Sequence, residues 1–500
     1  MRTTGFWLLL LGALLLTGCS VVLSLDADCD TVSDCTPYVC GDDNVACRAS
    51  CSRDAHCAAG FSCDFTTNTC LESGCRPSTP VVRLDVSDQF VGFAASAGAG
   101  QAILNLEHPS GHFLQRYEIT SPRLDDGTTA FGTLVAIRES SVDSDLGAFR
   151  LSVDAIGTNA SQLPASLYNP RGQSGLDHDF FHFAWRGQDR DSSDRRRWVL
   201  TGRSLRLSPD PAIRPRSRDM EGEVLTATSG ASERVIRQVR LAPREGGFAH
   251  AWAESVGVGN GVLRLRFRDG DGNRDGEVLR VFANGDGVIS SFDMLAFRDR
   301  LMLAWVPEIS ATRRDIRTVT VSGDRPPEQP GAALGSGETY RLYETAGAIT
   351  DVVLASAGSL AAIAWRESSG GSERFRIRLA WLDENGRPAA GRDGLVRVDP
   401  NFVHQVTPGA RLSSASRNDD FVLLFSGSRA GRNDLWLSRF AGGAQVGLPV
   451  PVTDLGLPGE APPSAFSVVP FAQGYTAFWM QEQQGGNTMF YRSFRCADGT

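Results

Sequence analysis

"AWRESS", residues 364–369, repeats at 136–141 as "AIRESS", and the pair belongs to a series that runs along most of the chain. Related stretches read "FFHFAWRG" (180–187), "FAHAWAES" (248–255), "LMLAWVPE" (301–308), "FVLLFSGS" (421–428) and "YTAFWMQE" (475–482). Each sets a large apolar residue at one anchor position: Trp185, Trp252, Trp305, Trp365, Phe425 and Trp479, with Ile137 in the earlier copy and a residue near Phe93 in the first. A polar turn and a second strand follow, as in "VLRLRF" (262–267), "DIRTVTV" (315–321), "RFRIRLAWL" (374–382) and "DLWLSRF" (434–440). Period-two alternation bounded by Gly, Asn, Asp and Ser is the pattern of β-hairpins. No long run of 3.6-residue periodicity occurs beyond the N-terminal apolar segment, so the folded part reads as all-β.

Successive anchors lie 44 to 67 residues apart, the period of the blades of a β-propeller. Radial packing of four-stranded blades leaves only short, protected strand edges. Eight anchors predict an eight-bladed propeller over residues 80–500, with seven blades as the near alternative. No G-H…W-D signature places it among WD40 repeats. "NTMFYRSF" (487–494) ends the last copy without an outer strand to follow, and "PVVRLDV" (80–86) precedes the first. Pairing of these two segments would close the ring.

The N-terminus carries a different signal. Arg2, an apolar run over 6–16 and the small residues that follow form the layout of a cleavable signal peptide, too short to span a bilayer as a helix. Leu16-Thr17-Gly18-Cys19 resembles the bacterial lipobox. That resemblance implies cleavage before Cys19, lipidation of its thiol and acylation of the new amino terminus; two or more acyl chains anchor stably where one does not. Ser20 stands where the inner-membrane retention signal of such lipoproteins has Asp, which implies the outer membrane. Residues 1–18 are then signal peptide and 19–28 a tether.

Eleven cysteines are an awkward odd number for an oxidising compartment. With Cys19 lipidated, ten remain: Cys29, Cys35, Cys40, Cys47, Cys51, Cys57, Cys63, Cys70, Cys75 and Cys496. The nine between Cys29 and Cys75 sit among polar spacers with few large apolar side chains, so residues 29–76 read as a small module stapled by disulfides in place of a core. The spacing resembles small EGF-like cysteine-rich modules. A zinc knuckle or redox motif is disfavoured, because no C-x-x-C occurs and His56 is the module's only histidine. Nine cysteines cannot all pair among themselves. Cys496 is the remaining partner, and ring closure makes Cys75 the nearest candidate.

Composition fits an exported, folded protein: 41% hydrophobic residues and a net charge of -8, with every one of the 50 basic residues an arginine. That balance offers no basic stripe for nucleic acid, and the absence of lysine removes lysine-based chemistry. The best candidate ligand site is "DGDGNRDG" (269–276), in which Asp269, Asp271, Asn273 and Asp275 have the odd spacing of calcium-binding oxygens, although the twelfth position from Asp271 is Phe282 where an EF-hand has Glu. Turn-forming Asp, Asn and Gly give the same letters without a metal. His178 and His182 are four apart but enter a strand, where side chains alternate. "WLDENGRPAAG" (381–391) reads as a hairpin turn. No nucleophile elbow, H-E-x-x-H or phosphate-binding loop occurs. Calcium is therefore the one cofactor offered. The expected role is a membrane-anchored envelope scaffold that binds a protein or glycan through propeller loops, and the alternative is a propeller enzyme acting on extracellular carbohydrate.

Overall fold

The computed structural model describes residues 35–39, 47–52, 56–58, 61–64 and 68–72 near the N-terminus and, from 74 to 496, the strands and most short turns; the largest segments outside this description are 1–34, 137–164 and 323–338. The signal peptide, Cys19 and Cys29 thus lie outside the described residues, as does Cys40. Among the described residues no helix is long and apolar enough to cross a membrane. The chain divides into two compact units, 1–72 and 73–500.

The first unit is built around sulfur. Strands Phe61–Asp64 and Thr69–Glu72 pair antiparallel with Cys63 opposite Cys70. Disulfides join Cys35 to Cys47 and Cys57 to Cys70, and Cys51 is also disulfide-bonded. Buried Cys51, Cys57 and Cys70 with Tyr38 and Phe61 make up the apolar cluster, so the bridges stand in for the aliphatic core that so short a segment cannot supply.

The second unit is a propeller of seven antiparallel sheets; in six of them the strands follow one another in chain order, and the seventh takes its outer strand from the N-terminal side of the unit. The blades occupy residues 92–136, 165–224, 234–282, 288–345, 349–405, 413–451 and 465–496. Their innermost strands, Gly92–Gly98, Ala165–Asn169, Arg234–Arg244, Val288–Phe297, Ile349–Ala357, Ser413–Ser416 and Ala465–Phe471, each neighbour the next, and the last neighbours the first.

The anchor residues explain themselves in this arrangement. Every seam between blades holds its own apolar cluster, and each contains the anchor of the following blade: Trp185, Trp252, Trp305, Trp365, Phe425 and Trp479 in blades 2 to 7, and Leu106 in blade 1. The anchor sits on the second strand, and in five blades it pairs with an inner-strand residue thirteen positions earlier: Phe93 with Leu106, Val239 with Trp252, Phe292 with Trp305, Val352 with Trp365, Phe466 with Trp479. Of the eight blades favoured by the anchor count and the seven of its near alternative, this register selects seven. Phe93 is the inner partner of an anchor, and "AIRESS" begins at Ala136, the last residue of the fourth strand of blade 1, Thr133–Ala136. Ile137 lies outside the described residues.

Ring closure comes from the N-terminal side of the unit. The third strand of blade 7, Gly486–Cys496, pairs with Cys75–Pro77 and with Val82–Arg83. The closing strand is thus in two pieces, and between them the Thr79 hydroxyl accepts the Ser493 amide at 2.9 Å. Cys75 faces Cys496 in register, and the two form a disulfide with Cα atoms 4.1 Å apart across a sequence separation of 421.

Candidate functional site

The wall of the central channel is made of inner strands whose edges carry backbone groups with no neighbour in their own sheet, and buried backbone groups demand partners. Side chains of the neighbouring inner strand supply several. Gln238 donates to the Phe292 carbonyl (2.9 Å) and accepts its amide (3.0 Å). Ser291 accepts from the Val352 amide at 3.1 Å, Ser416 from Ser356 at 2.9 Å, and Ser413 from Val468 at 3.1 Å. Asp293 joins three blades: it accepts from Arg240 Nε at 2.9 Å and from the Leu354 amide at 2.7 Å. Burial raises its carboxyl above the ordinary range against the opposing pull of Arg240 and that amide. Sequence reasoning missed these residues. Their signal was a polar letter inside an otherwise apolar inner strand, as in "VISSFDMLAF" (288–297).

A second constellation lies beside the anchors. Trp252, Trp305 and Trp365 each pair across the sheet with an arginine, Arg264, Arg317 and Arg378. Each arginine meets a carboxylate at the same level of its blade: Glu254 at 2.8 Å, Asp315 at 3.6 Å and Glu367 at 3.5 Å. The acid comes from the second strand in blades 3 and 5 and from the third in blade 4, and blade 6 puts buried Asp434 at the same register, opposite Gly427. Trp252 Nε1 donates to Glu254 at 2.7 Å. Glu367 also accepts from Tyr343 at 3.1 Å and Thr345 at 3.0 Å, both on the outer strand of blade 4. Burial and then the Glu367 charge raise the Tyr343 phenol, the reverse of what an activated nucleophile needs. These carboxylates lie one in each of blades 3 to 6, and Glu367 braces the seam between blades 4 and 5.

The calcium candidate is a hairpin turn joining the third and fourth strands of blade 3. Asp269 accepts the Asn273 amide (2.8 Å) and side chain (2.7 Å), and Gly272 donates to the Asp269 carbonyl. Asp275 pairs with Arg244 and Asp271 with Arg218. The same turn recurs in blade 5, where Asp383 accepts the amides of Asn385 and Arg387 at 2.9 Å and Gly386 donates to its carbonyl. Gly272 and Gly386 have φ of +89° and +72°, and each lies against the preceding blade, at Ser204 and Thr318. Close approach with positive φ is what glycine permits. These are clips between blades, and the carboxylates of the quartet face separate protein donors.

The histidine pair is likewise divided. Arg206 lies against His178 at 2.7 Å, while His182 is fully buried with Nδ1 2.9 Å from the Ser204 hydroxyl. Among the described residues the one trio of metal-ligand atoms within 4.8 Å of one another is that of Cys51, Cys57 and Cys70, whose sulfurs are in disulfides.

No protein-family model and no curated protein matches the chain by sequence. Among solved structures it is similar to an α-L-arabinofuranosidase from Fusarium graminearum, with a TM-score of 0.40 and 10% identity over 66% of this chain and 92% of that one. It is also similar to the sialidase of Trypanosoma rangeli in complex with the inhibitor DANA (TM-score 0.36, 10% identity, 85% and 59% covered) and to the six-bladed, fucose-recognising lectin of Aleuria aurantia (TM-score 0.35, 11%, 75% and 99%). Likeness at this level conveys no chemistry.

Proposed function

We propose that this chain is a lipid-anchored protein of the outer membrane whose propeller serves as a binding scaffold for a protein or glycan held by its loops. The lipobox resemblance at 16–19 supports the anchor. The scaffold reading rests on how the buried charged groups are used. Asp293, Glu254, Asp315, Glu367 and Asp420 each engage an arginine within the blades, whereas glycoside hydrolysis needs two carboxyl groups facing one substrate, about 5–10 Å apart. Loops carried on a rigid frame suit recognition.

Two experiments test this. Metabolic labelling with a palmitate analogue is expected to mark the wild type and not Cys19→Ser; equal labelling of both would remove the anchor. The purified Cys19→Ser chain, screened on a glycan array, against envelope proteins and against a panel of aryl glycosides, is expected to bind without turnover. Steady hydrolysis would replace the scaffold with a carbohydrate-active enzyme.

A further inference from the structure

Among the described residues, the seam between blades 2 and 3 differs from the others in holding two fully buried histidines. His182, on Phe180–Arg190, stacks on Phe248 of blade 3 with centroids 3.9 Å apart. His250, on Gly247–Val256, is equally buried and accepts from Arg268 Nε at 3.3 Å through Nδ1. That bond assigns His250 the tautomer with its proton on Nε2. For both rings no described atom is hydrogen-bonded to Nε2.

We infer that this seam is an acid-sensitive joint, the place where the propeller parts first when the surroundings acidify, because neither imidazole has anywhere to put a second proton. A proton added at His250 Nδ1 would face the Arg268 N–H, donor against donor. A proton on His182 would leave one N–H without an acceptor in the seam.

The surrounding charges oppose protonation further. Blade 3 presents Arg266 and Arg268 to the seam, bonded to the carbonyls of Gly276 (2.6 Å) and Gly272 (2.8 Å). The nearby acids already meet guanidinium groups: Glu254 with Arg264, Asp275 with Arg244, and Asp271 with Arg218 across the seam. In agreement, burial lowers His182 from 6.5 to about 3, and burial followed by Arg268 and Arg266 lowers His250 well below its usual value. A histidine depressed in the folded state contributes stability above its unfolded value, which is lost as pH falls. The window opens near pH 6.5, and each further pH unit down to about 3 favours the parted seam about tenfold through His182 alone.

Amide hydrogen exchange at pH 7.5 and 4.5, corrected for intrinsic rates, reads this directly. Peptides covering 180–185, 200–207 and 247–255 are expected to lose at least about hundredfold protection on acidification, while the strands of blades 4 to 6 lose less than tenfold. His182→Gln with His250→Gln should abolish the difference. Equal loss in all blades, unchanged seam protection at pH 4.5, or an acid response that survives in the double variant would each overturn the inference. If the double variant fails to fold, the comparison between blades in the wild type decides alone.

Discussion

At the scale of single residues the clearest lesson is Asp420, at the start of the second strand of blade 6. Its carboxylate accepts from Arg439 Nε at 2.7 Å, from Arg417 Nε at 3.0 Å and from the Tyr475 hydroxyl at 2.8 Å, and Arg439 reaches on to the carbonyl of Gly74. One acid thereby ties blade 6 to blade 7 and to the closing segment. Burial would raise this carboxyl, but the hydrogen bonds from Arg417, Tyr475 and Arg439 outweigh it and hold it below the ordinary range. Such a group stabilises the fold above its unfolded value near 4 and loses that contribution as pH falls further. Asp420→Asn keeps the shape but strands Arg439, and is expected to cost about 3–5 kcal/mol in chemical denaturation at pH 7, with a smaller deficit at pH 3. An unchanged deficit between the two pH values would show that charge is not the cause. Trp365→Ala, which empties the anchor position at a seam, should cost about 3–5 kcal/mol at both. The two residues differ in legibility. Trp365 stands out because its spacing repeats, whereas two of the three partners of Asp420 lie 19 and 55 residues along the chain, and no local pattern announces them.

At the scale of elements the hairpins were readable because alternation and turn residues are local properties, and the second and third strands fall where the repeats put them. The blade count was not readable in the same way. Repeat spacing gives a period but not a phase, and in blade 1 the anchor is Leu106, which resembles its counterparts less than the letters of "AIRESS" do. The letters of the calcium candidate are ambiguous for a similar reason: Asp-x-x-Gly specifies a tight turn whether or not its oxygens meet an ion. The turns at 269–273 and 383–387 share one set of backbone bonds, so Asp269→Ala and Asp383→Ala are expected to destabilise the chain by a similar amount, about 1–2 kcal/mol each. A chelator should leave the thermal midpoint of the wild type unchanged. A chelator-sensitive midpoint that Asp271→Ala with Asp275→Ala removes would restore calcium at this loop.

For the whole molecule, closure by the N-terminal segment followed from two separate deficits in the sequence, an outer strand missing at one end and a cysteine unpaired at the other. The break between Cys75–Pro77 and Val82–Arg83 was not visible, because it depends on Thr79 substituting its side chain for a ladder bond. Non-reducing peptide mapping is expected to recover the C-terminal peptide joined to the one containing Cys75. Cys496→Ser should lower stability by about 2–5 kcal/mol, against a chain-entropy value of about 6 kcal/mol for so long a loop. A free thiol at Cys496 in the oxidised protein would contradict the closure. This geometry also sets an order of events in time. Synthesis proceeds from the N-terminus at roughly 5–20 residues per second, so Cys75 is exposed on the order of 20–80 s before its partner 421 residues later exists. During that interval its thiol has only the cysteines of the neighbouring module to meet. The Cys75–Cys496 bridge can therefore form only after the final strand has been made, whatever pairings precede it.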